Sequence, residues 1–263
     1  MIKFCSLFSG SSGNSLFLKV NNTCILIDAG LSAKRIIEAL DAIDEKACDI
    51  DAILISHEHS DHIKGAGIIS RKFNIPIYAN HRTWDAMQND IGKISEYNRR
   101  FFESGDLFSI NDICIKTFRI PHDAAEPVGF NFFCGNRKIT VATDIGHINK
   151  NVLESIENSD AILLESNHDV EILKSGPYPW ELKRRILGEN GHLSNEMAGK
   201  VAAYLAAKGT KIFMLGHLSK VNNLPELAYQ TVYDELADNG IKIGTDVILD
   251  VVLRDQVGRV LEM

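Results

Sequence analysis

An α/β architecture, two mixed sheets packed between helices, is what this sequence predicts, and three observations carry the prediction. Strand-like and helix-like runs alternate from end to end. No low-complexity linker or block of like charge divides them. The 263 residues, 45% hydrophobic and 24% charged, suit an ordinary globular chain with a sizeable core. A single domain over residues 1–263 is therefore expected.

The elements follow in order. "SLFLKV" and "TCILIDAG" read as strands joined by a turn at Asn21-Asn22. "SAKRIIEAL" spaces Ile36, Ile37 and Leu40 for one face of a short helix. "DAILIS" is a buried strand, "IKGAGIISRKF" a helix and "IPIYAN" another strand. "DICIKTFRI" is a strand leading to Pro121 and His122, and "GFNFFC" with "KITVATDIG" forms a hairpin about a "GNR" turn. "NKNVLESI" is helical and "DAILLES" is strand. "SNEMAGKVAAYLAAKG" is the clearest helix, stopped by Gly209. "KIFMLGH" is strand, Asn223 and Glu226 read as a capping box opening "LPELAYQTVYDELADNG", and "DVILDVVL" closes the chain as a strand. The two halves share this grammar loosely, without a short-period repeat.

Bulk properties narrow the setting. A net charge of −7 argues against indiscriminate attraction to nucleic acid, while leaving room for a local basic groove or a site made positive by metal ions. Five cysteines without C-x-x-C spacing suit free thiols in a reducing compartment. "MIKFCSLF" is too short for a signal h-region, and no apolar stretch approaches the ~20 residues that span a bilayer. A cytoplasmic protein without a membrane partner is expected.

Chemistry concentrates in "ISHEHSDHIKG", which follows a buried strand. His57 and His59 project to one side of an extended segment, and Asp61 and His62 face a second point once the chain turns. Glu58 falls on the opposite side and is not expected to be a ligand. Imidazoles mixed with carboxylates suit zinc, manganese or iron better than calcium. The pattern H-E-x-x-H fails, because Asp61 stands where its second histidine belongs. One loop supplies only part of a two-metal site, so further ligands are expected at other strand ends. His122, Asp144 and His217 fit that demand. His192 sits in a similar "GHLS" stretch, but His217 is preferred because a clear strand precedes it.

"HEHSDH" resembles the H-x-H-x-D-H signature of the metallo-β-lactamase fold superfamily, and His122, Asp144 and His217 stand in the order of its remaining ligands. "CSLFSGSSGNS", "TDIGH", "LLESNHD" and "GHLSN" are similar to its YycJ/WalJ-type exonuclease branch. The resemblance implies a four-layer αββα sandwich with two divalent metal ions (zinc, manganese or iron). His57, His59 and His122 would hold one ion, Asp61, His62 and His217 the other, and Asp144 would bridge them. It implies a 5′-to-3′ DNA exonuclease, with Asp61 also orienting the attacking hydroxide. Glu165, His168 and His192 resemble active-site residues of the branch, either histidine being a candidate proton donor.

"SGSSGNS" reads equally as a phosphate-cradling loop, with Ser12 and Asn14 touching substrate, or as a tight turn. Lys183-Arg184-Arg185 reads as a backbone-binding run or a solvated helix face, and His81 and His147 as surface residues. The same site type also cleaves thioesters, lactones or cyclic phosphodiesters, and a non-catalytic metal-binding protein is a further alternative. Oligomeric state leaves no mark in the sequence.

Overall fold

Buried strands alternate with amphipathic helices through the computed structural model, which describes residues 1–263. Its contacts gather into two units, one of residues 1–117, 124–128 and 254–263, the other of 118–123 and 129–253.

The first unit begins with β1 (Ile2–Phe8), β2 (Ser15–Val20) and β3 (Thr23–Ile27), an antiparallel meander. β4 (Ala52–Leu54), β5 (Ile77–Ala79) and β6 (Arg99–Phe101) extend it in parallel. Four helices fill the connections, α1 (Ala33–Asp41), α2 (Ser60–Ile63), α3 (Ala66–Phe73) and α4 (His81–Met87). The hairpin β7 (Leu107–Ile110) and β8 (Ile113–Arg119) follows.

In the second unit, β9 (Val128–Cys134) and β10 (Arg137–Ala142) pair antiparallel. β11 (Ala161–Glu165), β12 (Ile212–Gly216) and β13 (Ile248–Val251) then run parallel to β10. The helices are α5 (Lys150–Ile156), α6 (Val170–Ser175), α7 (Trp180–Ile186), α8 (Asn195–Ala207) and α9 (Pro225–Asp238). A last strand, β14 (Leu261–Glu262), returns to pair with β1. The chain thus carries two mixed seven-stranded sheets, ordered β14-β1-β2-β3-β4-β5-β6 and β13-β12-β11-β10-β9-β8-β7.

Each unit has its own core. In the first, Ile36 and Leu40 of α1 and Ile69 of α3 pack with Phe17, Leu26 and Ile53 of the sheet. In the second, Val152 of α5, Ala202 and Leu205 of α8, and Val232 of α9 pack with Ile162, Leu164 and Phe213. Residues of β3 are buried at every position, which explains why these strands read as continuous apolar runs rather than alternating ones.

Three expectations need correction. "IKGAGIISRKF" is two helices, not one, because Gly65 interrupts it. The Gly65 amide donates to the Ala29 carbonyl, and a Cβ there would lie 2.3 Å from the Leu31 carbonyl oxygen. Asn223 does not cap α9. Leu224 is its N-cap, with Pro225 in the first turn, while the Asn223 amide is consumed by Asn195 and the Ser166 carbonyl. The chain also closes on β14 rather than on "DVILDVVL". The α8 stop is as expected, with Gly209 at φ +106°. No helix is long and apolar enough to cross a membrane. All five cysteines are free thiols, and burial pushes Cys5 and Cys24 up to about 11.

Candidate metal centre

The C-terminal ends of parallel strands are where an open α/β sheet presents its binding groups. Both units load that edge with carboxylates and imidazoles. In the first, β3 ends at Asp28 and β4 runs into the loop of His57, His59, Asp61 and His62. Asp28 is buried and held at φ 57°, a left-handed conformation costing about 1–3 kcal/mol that persists only when its surroundings enforce it. Here they do. Its Oδ1 accepts from the Ser56 amide at 2.8 Å, and its Oδ2 accepts from Ser56 Oγ and His62 Nδ1, each at 2.8 Å. Ser56 Oγ also lies 3.0 Å from His57 Nδ1.

The consequence is a fixed tautomer. With Nδ1–H of His62 given to Asp28, its Nε2 keeps the lone pair, 3.0 Å from Asn14 Nδ2, the arrangement by which carboxylates orient metal-binding imidazoles. His57 Nε2 and His59 Nδ1 converge to 3.1 Å, and Asp61 Oδ2 lies 3.7 Å from His62 Nε2. The loop is fastened from behind by Asn14 and Gly30. The Asn14 amide N–H donates to the Asp61 carbonyl at 2.8 Å, and Gly30 passes so close that a Cβ would stand 1.6 Å from that same oxygen. Both ends of the Asn14 side chain are used, Oδ1 by the Gly10 amide and Nδ2 by Asp61 and His62. Asn14 is therefore an anchor of the ligand loop, in a turn between paired strands, while Ser12 is exposed at the tip of that turn. Glu58 points away, accepting from the Ala125 amide at 2.8 Å.

In the second unit β10 leads to Asp144 (φ 60°), β11 ends in Glu165 and β12 runs into His217 (φ 57°). His122 follows β8 after Pro121. Asp144 Oδ1 lies 3.5 Å from His217 Nδ1, 3.8 Å from His122 Nε2 and 3.9 Å from His192 Nδ1. Glu165, fully buried, is the hub. Its Oε1 accepts from His192 Nδ1 and His217 Nδ1, both at 2.8 Å, and its Oε2 accepts from the Ile145 and Leu193 amides at 2.7 and 3.2 Å. Burial alone would raise this carboxyl. The charge and hydrogen bonds of His192 and His217 outweigh burial and hold it far below the usual carboxylate range. Glu165 lies among ligand-type atoms within 4.8 Å of one another. Both of its oxygens are already engaged by those four donors.

Burial pushes His122 below the ordinary imidazole range, against the pull of Asp144, so the ring is neutral and able to ligate at pH 7. Its Nδ1 lies 3.2 Å from the Gly191 carbonyl oxygen. His192 keeps a partly open ring, 19% exposed. His168 differs. It is 1% exposed, neither ring nitrogen has a hydrogen-bond partner, and burial pushes it down to about 4. A ring kept neutral in this way is poorly suited to donating a proton, which favours His192. Of the basic run, Lys183 is buried with Nζ on the Lys174 carbonyl, while Arg184 and Arg185 lie on the exposed face of α7, Arg185 paired with Asp123.

These donors fit a divalent ion: imidazoles, four of them with one nitrogen held by a carboxylate, hydroxyl or carbonyl (His57, His62, His122 and His217), beside buried carboxylates. Asp28 is the residue that sequence reasoning missed. Its signal was available, since "DAG" at 28–30 and "DIG" at 144–146 both follow a buried strand. Both glycines also admit a backbone approach that a Cβ would block, at 1.6 Å for Gly30 and 2.1 Å for Gly146.

The profile of the Metallo-beta-lactamase superfamily matches residues 9–217, a span that takes in every residue of both sets. The chain belongs to that superfamily, whose fold is the αββα class expected from the sequence. Within it lies the branch of WalJ and YycJ. Exodeoxyribonuclease WalJ of Streptococcus pneumoniae is 44% identical over 246 residues, covering 93% of this chain and 91% of that protein. Exodeoxyribonuclease YycJ of Bacillus anthracis is 41% identical over 243 residues, 92% of each. Among solved structures, the metallo-β-lactamase fold protein YhfI from Bacillus subtilis superposes with a TM-score of 0.72 over 97% of this chain and 98% of its own. At 14% identity that likeness speaks for the fold alone.

Proposed function

We propose that this protein is a metal-dependent phosphodiesterase that removes nucleotides from the 5′ end of DNA. The observation that carries the reading is an anchored His/Asp ligand set in a chain 44% identical, over 93% of its length, to a protein named an exodeoxyribonuclease. The superfamily match runs through both units, which supports reading 1–263 as one domain.

In this reading the chain binds two divalent ions. His57, His59 and His122 would hold one and Asp61, His62 and His217 the other, with Asp144 available to either. Zinc, manganese or iron suits these donors. When bound, such ions supply an activated water at neutral pH and offset charge on the phosphoryl oxygens. The chain's own residues do the rest. Asp28 and Glu165 fix the tautomers of His62 and His217, and Asn14 holds the loop that carries Asp61. Asp61 also orients the attacking oxygen. His192, with Nδ1 on Glu165, presents Nε2 toward the leaving oxygen and delivers its proton there. Glu165 balances the charge of the protonated ring. Ser12, exposed on its turn, contacts the incoming strand in this reading. Free thiols and the absence of a membrane-crossing helix support a cytoplasmic setting.

The test is a time course on 5′-phosphorylated duplex DNA with manganese-loaded protein beside an Asp61→Ala control. Shortening from the 5′ end by the wild type alone is expected. Two ions bound per chain without cleavage would refute the nuclease reading and redirect attention to ester and cyclic-phosphate substrates.

A further inference from the structure

The parallel strands of the first unit carry more than metal ligands along their C-terminal edge. β6 is the terminal strand of its sheet and runs parallel to β5, with Phe101 level with Ala79. β5 in turn lies beside β4, Tyr78 level with Leu54. At ~4.8 Å per strand, Phe101 therefore stands about 10 Å across the sheet from the root of the His57 loop, on the same edge.

That position is an exposed stack of rings and guanidinium groups. His81, the first residue of α4, lies flat on Phe101, with centroids 4.5 Å apart and planes 17° apart. Phe101 is 44% exposed, large for an aromatic ring, and His81 is exposed as well. Residues two apart on a strand share a face, so Arg99 joins them, its guanidinium 4.9 Å from the Trp84 ring and 5.7 Å from Phe101. Trp84 is buried, its indole N–H donating to the Arg100 carbonyl, and gives the stack a rigid floor. Arg100 lies 4.9 Å over Tyr97, which is 70% exposed. A pocket of about 250 Å³ opens beside the stack, lined among others by Trp84, Lys93 and Arg99, with Glu96 its only carboxylate. The Arg99 Nε is buried without a hydrogen-bond partner.

The region is also less acidic than the chain as a whole. Residues 71–106 hold six Lys or Arg against five Asp or Glu, a local +1 in a chain of net −7, and Glu103 lies 3.6 Å from His81. Exposed aromatic faces interleaved with cations are how sequence-tolerant single-strand binders hold nucleic acid. Bases stack on the rings, and the cations track the phosphates.

We propose that His81 and Phe101, with Arg99, form a stacking platform for single-stranded DNA, guiding the strand along the sheet edge toward the His57 loop. The inference rests on the nuclease reading for its substrate and adds the surface that receives it. The platform binds without regard to sequence, since every base offers a π-face, and its cation gives it salt dependence.

The test uses the metal-loaded full chain and a fluorescent, phosphorothioate-linked single-stranded oligodeoxynucleotide, read by anisotropy. Phe101→Leu keeps an apolar side chain over Trp84 and removes the ring, and about tenfold weaker binding is expected. Phe101→Trp restores binding to within about threefold, which a merely structural role for Phe101 does not predict. Arg99→Ala lowers the salt slope by about one. In turnover, the ratio of kcat/KM on single-stranded DNA to that on bis(p-nitrophenyl) phosphate falls about tenfold in Phe101→Leu. Wild-type affinity and an unchanged ratio in Phe101→Leu overturn the platform while leaving the nuclease intact. A wild type that binds the oligonucleotide but shortens no DNA overturns the nuclease reading instead. A wild type that sediments as a dimer dispersed by Phe101→Leu assigns the β6 edge to a second copy and overturns the platform.

Discussion

Replacing Glu165 by Gln tests the core of the site with almost no change of shape. The carboxylate accepts four hydrogen bonds, two imidazole N–H on Oε1 and two backbone N–H on Oε2. An amide has one oxygen, so its NH2 must face one of those pairs. Turned toward the histidines, it forces His192 and His217 to surrender their Nδ1 protons and moves those protons to Nε2, the atom through which His217 would bind metal in the proposed centre. Turned the other way, it sets two buried backbone donors against a donor. Either way two bonds to a charged acceptor are lost, at about 1.5–3 kcal/mol each, or about 3–6 kcal/mol of stability. Urea unfolding of metal-free protein measures the loss. Chelator competition should show metal affinity lower by about 10–100-fold, the usual cost of removing an orienting carboxylate. Because the folded carboxyl titrates far below its unfolded value of 4.5, its contribution is fully present above that pH and fades only as pH falls toward the folded value. A variant less than about 1 kcal/mol weaker than wild type, with unchanged metal affinity, refutes the reasoning.

Three further outcomes are expected. Asp28→Asn should lower metal affinity by about 10–100-fold through His62 while sparing His217, as titration with a colorimetric chelator would show. Gly30→Ala should unfold the ligand loop, since its Cβ would lie 1.6 Å from the Asp61 carbonyl oxygen and 2.7 Å from the Asn14 nitrogen. Loss of hydrogen-exchange protection at residues 57–65 checks it. His168 titrates near 4 folded against 6.5 unfolded, so between those values only the unfolded chain takes up the proton. Stability should therefore fall as pH drops through that window, by up to about 1.4 kcal/mol per pH unit. His168→Phe should flatten that slope in urea titrations of the metal-free protein, and an identical slope in both proteins would refute it.

The sequence by itself determined the local and the chemical. Short continuous apolar runs such as "TCILI" and "AILLE", bounded by turn residues, read as buried strands, and His57, His59, Asp61 and His62 are too expensive to leave unpaired, so their spacing already points to metal. His122, Asp144 and His217 were legible because each follows a strand. What sequence could not carry is contact across long separations. Asp28 reaches His62 across 34 residues, and Glu165 reaches His217 across 52, and no periodicity encodes such pairs. Asn223 looked like a local cap for the same reason, since its 28-residue bond to Asn195 is invisible along the chain. The same holds for β6, three residues whose strand character comes from pairing with β5 and not from their own pattern. Only the tertiary fold, by laying strand beside strand in register, decided which ligand-type residues share an edge and which rings stack beside them.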